Sequence, residues 1–139
     1  MEKLLTITAV CTQILFAQTE PMVQLIVDIG NIMKQRQVNE IMFFEGVRAD
    51  GNRVISAFIF KPQDKNSKEQ VDTIQGLYDY KDAQKEFIQE FAAENKETLC
   101  KNKLLPKLKE IDLTYVYQFR FEKEQNFEEA SISARECQN

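Results

Sequence analysis

Histidine and tryptophan are missing from this 139-residue chain, and the first absence excludes a good deal of chemistry. Without histidine there is no Ser-His-Asp or Cys-His nucleophilic site and no imidazole general base. The commonest transition-metal ligand goes with it. Most routes to catalysis need residues that the chain lacks, so it reads as a non-enzymatic protein with no cofactor and no metal. A pair drawn from its 22 acidic residues is the catalytic route left open. A net charge of −4, from 18 basic and 22 acidic residues, argues against nucleic acid as a partner. With ten phenylalanines and four tyrosines, the core must be built largely on Phe. The length suits one domain with a modest hydrophobic core.

Cysteine is scarce but informative. Of three, Cys11 lies in an apolar N-terminal stretch, leaving Cys100 and Cys137 for a mature chain. Lys3 is followed by a mainly apolar run from Leu4 to Ala17, then by polar Gln18, Thr19 and Glu20. This order predicts a signal peptide over 1–17 with cleavage after Ala17, leaving residues 18–139 as a single α+β domain. The run is too short to span a bilayer, and bulky Val10 beside Cys11 argues against lipidation. The alternation of Leu5, Ile7, Ala9 and Cys11 with Thr6, Thr8 and Val10 also fits a β-strand, which would make the protein cytoplasmic. On the export reading the protein is periplasmic or secreted. Two cysteines in a small exported chain then predict a Cys100–Cys137 disulfide. Closing a loop of about 37 residues is worth roughly 3 to 4 kcal/mol.

Further along, Pro21 suits a helix start, and Met22, Leu25, Ile26, Ile29 and Met33 follow at helical spacing. Lys34 and Arg36 would sit at the negative end of that helix. Residues 40–48 and 53–60 are rich in β-branched and aromatic residues, and Asp50-Gly51 between them predicts a hairpin turn. After a polar loop over 61–68, Ser67 and Gln70 suggest a capping box for a helix carrying Val71, Ile74 and Tyr78. Gly76 and Asp79 interrupt before a longer helix with Phe87, Ile88 and Phe91 that ends near Cys100. A short helical turn around Pro106 would bury Leu105 and Leu108. Leu113, Tyr115, Tyr117, Phe119 and Phe121 then alternate with polar or smaller residues as a strand, and 127–136 supplies its partner. The order helix, hairpin, helix, hairpin predicts a four-stranded antiparallel sheet packed on helices.

Leu99-Cys100, the helical turn over 104–109, the strand bearing Tyr115 and Tyr117, and the tail from Ile132 to Cys137 resemble a group of small exported bacterial proteins of uncharacterised function. The likeness covers roughly 95 to 139 and, loosely, the hairpin at 40 to 60. It implies export and a cystatin-like or related α+β shape, and it brings no activity. The chain departs from the group at Glu110-Ile111-Asp112, where a glycine is usual before the strand.

The aromatic row of Tyr115, Tyr117, Phe119 and Phe121 reads as core, since an alternating strand buries its apolar face. Gln118 and Arg120 would then face outward within reach of a partner. Met42, Phe43 and Phe44 run consecutively, so one of them faces away from the core. Met42, Phe44, Gln118 and Arg120 are therefore the candidate partner surface. Glu122, Glu124, Glu128 and Glu129 lack the ligand spacing of a calcium loop and read as a solvated hairpin tip. The expected function is an exported protein acting through protein contacts, such as an inhibitor, an immunity-type protein or an envelope accessory protein. The alternative is a carrier of a small apolar molecule or glycan in a cavity between sheet and helices, lined by Phe87, Phe91, Tyr117 and Phe119.

Overall fold

The structure, a computed structural model, describes residues 20–138. The expected leader over 1–17, its alternative strand and Cys11 lie outside the described residues. The described residues open with helix α1 (Pro21–Ile32) and continue into strands β1 (Arg36–Asn39), β2 (Met42–Asp50) and β3 (Arg53–Phe60). Three helices follow: α2 (Lys68–Asp79), α3 (Lys81–Cys100) and α4 (Leu105–Glu110). Strands β4 (Thr114–Phe121) and β5 (Glu128–Ser133) close the fold, with a short 3₁₀ turn over Ala134–Glu136. No described helix is long and apolar enough to cross a membrane.

Local signals explain most of these boundaries. The Glu20 carboxylate caps α1 by accepting from the backbone N–H groups of Met22 (2.6 Å) and Val23 (3.3 Å). Ser67 Oγ accepts from Gln70 N–H at the start of α2. Gly51 supplies the positive φ (62°) that the β2–β3 turn needs. Cys100 is the last residue of α3, and its sulfur is bonded to that of Cys137, just past the 3₁₀ turn. The expected last strand over 127–136 is shorter than anticipated, because Ser133 Oγ accepts from Arg135 N–H and turns the chain into the 3₁₀ segment.

The sheet differs from the expected four antiparallel strands. Five strands lie in the order β1-β2-β3-β4-β5, and β3 pairs with β4 in parallel. The path from β3 to β4 runs through all of α2, α3 and α4, so β4 starts at the same end of the sheet as β3 rather than beside its finish. Asn52 pins that start: its side-chain amide donates to the Asp112 carbonyl (2.6 Å), and its own carbonyl accepts from Thr114 N–H (3.1 Å). Asp112 holds φ of 54°, the left-handed region that an aspartate tolerates better than most residues. Strand β1 was not anticipated, since Val38 is its one apolar residue, and Arg36 opens it instead of ending α1.

All four described α-helices pack on one face of the sheet. Val23 and Val27 of α1, Ile88 and Leu99 of α3, and Leu105 and Leu108 of α4 join Val54, Phe58, Phe60, Tyr117 and Phe119 in one core, with Ile74 of α2 at its margin. The cross-strand rows Phe44–Phe58–Phe119 and Met42–Phe60–Phe121 form its aromatic floor. Phe91 meets Phe58, Tyr117 and Phe119 at 5.2 to 5.3 Å, and Phe87 meets Phe60 at 5.4 Å. These rings occupy the space where a central carrier cavity was anticipated.

Candidate functional site

The four residues expected to form a partner surface do not come together. Met42 is fully buried on the helix face, which removes it from any surface. Phe44 shares that face, half-buried against Phe58 at 5.4 Å. Gln118 and Arg120 lie on the opposite face, as expected, yet both are engaged. Gln118 is buried; its side-chain oxygen accepts from Arg48 (3.2 Å) and its nitrogen donates to Glu129 (2.6 Å). Arg120 donates Nε and Nη2 to the two oxygens of Glu45, at 2.9 and 2.8 Å. The hydrogen bond to Glu45 raises the arginine pKa, against the opposing effect of burial. Phe43 is the member of its aromatic run that faces away from the core, with the Lys61 ammonium 5.6 Å from its ring centre. Ile55, Ile59 and Val116 on this second face are buried. Its centre is a closed, hydrogen-bonded surface rather than an open one.

The exposed apolar surface lies on α1 instead. Val23 and Val27 face the sheet, and Gly30 lets the helix end settle onto β2, where an added Cβ would stand 2.4 Å from Val47 Cγ1. Asn31 fastens that end by accepting from Val47 N–H (3.0 Å) and donating to the Val47 carbonyl (2.9 Å). It thereby occupies the free edge of β2 as a pairing strand would. On the opposite side of α1, Leu25, Ile29 and Ile32 recur at helical spacing and are 52%, 54% and 82% exposed. Met33 and Val38 extend this patch toward β1, and both are about half exposed. Beside it runs a groove of about 450 Å³ whose lining includes Gly30, Met33, Val38, Phe44 and Phe58. The helical spacing of Leu25, Ile29 and Met33 is legible in the sequence, but their exposure is not. A helix apolar all round normally lies buried on every side, and here one side is uncovered.

The tyrosine row resolves as core. Tyr117, Phe119 and Phe121 are buried, and Tyr115 stacks on Tyr117 at 6.4 Å. Desolvation pushes the hydroxyl pKa of both tyrosines upward. At the far end of the sheet, the neighbouring Glu124 carboxylate raises the pKa of the Tyr78 hydroxyl.

The chain matches no protein-family model and no curated protein. Among solved structures it is similar in fold to one from Pseudomonas aeruginosa, titled "putative secreted protein". That likeness has a TM-score of 0.56 at 14% identity and covers 84% of this chain and 90% of the other. Identity at that level speaks for a shared fold alone.

Proposed function

We propose that this protein is exported and non-enzymatic, and that it acts by holding a protein partner against the outer face of α1 and the groove beside β1. The observation that carries this reading is the stripe of Leu25, Ile29 and Ile32, exposed on a helix whose other face is already seated on the sheet. An uncovered apolar face of this kind marks a surface that gains from being covered. The missing histidine supports the non-enzymatic part. The Cys100–Cys137 bond and the similar fold of a protein named as secreted support export. A disulfide in a small single domain suits an oxidising compartment.

The test places a photo-crosslinking amino acid at Ile29 in the full chain, produced with export in a native-like envelope, and at exposed Lys68 on α2 as the control. A discrete heterologous adduct from position 29, absent from position 68 and lost on Leu25→Glu with Ile32→Glu, is the expected result. Adducts only to a second copy of this chain, or none, would overturn the partner reading. Retention of residues 1–17 in the exported product, read by intact mass, would overturn cleavage of the leader.

A further inference from the structure

Among the described helices, α2 alone buries no residue, although Val71, Ile74 and Tyr78 line one of its sides. Opposite them, at the paired ends of β3 and β4, the rings of Phe60 and Phe121 stack at 4.8 Å. Tyr78 meets Phe121 edge-on at 5.3 Å and closes one end of the space. The helix stands off from this floor and leaves a half-open cavity of about 350 Å³. That is within the range of sites for small ligands. Val71 on the helix side is 42% exposed, so α2 covers the floor without sealing it.

The residues lining the cavity carry two ammonium groups against one carboxylate. Lys65 and Lys123 line the cavity, and neither has an ion-pair partner among the described residues. Two carboxylates lie close by. Glu122 also lines the cavity, within the field of Arg120, and Glu124 acts on the Tyr78 hydroxyl. An apolar interior with two uncommitted ammonium groups at its mouth fits a molecule with a hydrocarbon body and an anionic head. We propose that the cavity beneath α2 binds such an anionic amphiphile, its chain against Phe60, Ile74 and Phe121 and its head between Lys65 and Lys123. This site is separate from the α1 face, and either can stand without the other.

Sodium dodecanoate, kept below its micelle concentration, is the probe for an NMR titration of the whole protein. Saturable shifts confined to α2 and to the Phe60 and Phe121 rings are expected. Dodecyltrimethylammonium, with the same chain and the opposite charge, should bind about fivefold or more weakly, and added salt should narrow the difference. Replacing both lysines, Lys65→Gln with Lys123→Gln, should remove the preference while leaving the melting temperature unchanged. Ile74→Trp, which fills the cavity, should abolish binding. Three outcomes would overturn the proposal: no saturable shift up to about 1 mM, equal affinity for the two head groups, or shifts that centre on α1. The two lysine substitutions lie on the surface and keep the test decisive even if Ile74→Trp fails to fold.

Discussion

Glu45 reaches over β3 to Arg120 in a two-point ion pair, with contacts of 2.9 and 2.8 Å. Strand β2 is irregular at this point. The β2–β3 register shifts between Phe44 and Gly46, so Glu45 is the extra residue of a bulge, and Gly46 beside it has φ of 143°. The bulge returns Val47 and Ala49 to the helix face, whereas plain alternation after Phe44 already sets Glu45 beside Arg120 on the other one. Their side chains are 31% and 27% exposed, so solvent screens the attraction only in part.

Arg120→Ala should therefore cost about 1 kcal/mol or less, despite the favourable geometry. Arg120→Lys should recover only part of it, since an ammonium cannot match both carboxylate oxygens. Urea unfolding of both variants, run as a cycle with Glu45→Gln, isolates the pairwise energy. A coupling indistinguishable from zero would mean that the bulge, not the pair, is what the fold requires.

Two glycines should respond to alanine in opposite ways. At Gly30 the new Cβ would stand 2.4 Å from Val47 Cγ1, and the resulting strain, of about 1 to 3 kcal/mol, should outweigh the helix-propensity gain. At Gly76, inside α2, nothing lies within 4 Å of an added Cβ, so Gly76→Ala should strengthen the helix by about 0.5 to 1 kcal/mol. Because α2 buries no residue, that gain should show first as slower amide exchange within α2 and only weakly in the melting temperature. Destabilisation at both positions would contradict the packing described for α2.

Removing the disulfide by Cys137→Ser should lower stability by roughly 3 to 4 kcal/mol, from the chain entropy of a 37-residue loop. Thermal unfolding with and without a strong reductant checks this. Reductant should shift the wild-type midpoint down toward that of the variant and leave the variant where it is. A wild type insensitive to full reduction would show that α3 and the tail hold together without the bond.

Alkaline pH should unfold the protein through its buried tyrosines. Burial raises the pKa of Tyr115 and Tyr117 in the folded state, so above the ordinary tyrosine value of about 10 the unfolded chain releases these protons first. Their contribution is complete below pH about 10 and declines as pH climbs toward the raised folded values. Phenolate absorbance from the two should appear together with loss of the fold, and Tyr117→Phe should flatten the decline. Full ionisation of both while near-UV circular dichroism stays native would rule out their burial.

How much of this was legible in the chain varied by element. Asp50-Gly51 announced the β2–β3 hairpin, because the turn chemistry is local to those residues. The period of two through Tyr115 to Phe121 announced β4 and its buried side for the same reason. Strand β1 escaped notice because its pairing to β2, not its composition, makes it a strand. Met42 looked eligible for the surface because an apolar run does not reveal which side of a sheet is covered. Gln118 and Arg120 were correctly placed on the other side, but their partners Arg48, Glu129 and Glu45 come from other strands and could not be read along the chain.

The order of residues by itself determined most of the helices and strands and where the turns fall. Each of these depends on neighbours a few positions apart, so periodicity and turn chemistry suffice. Tertiary structure alone decided that β4 runs parallel to β3, that one side of α1 stays uncovered, and that α2 stands clear of the Phe60–Phe121 floor. Those outcomes turn on how distant segments share a limited apolar surface, and the same local patterns are compatible with several ways of dividing it.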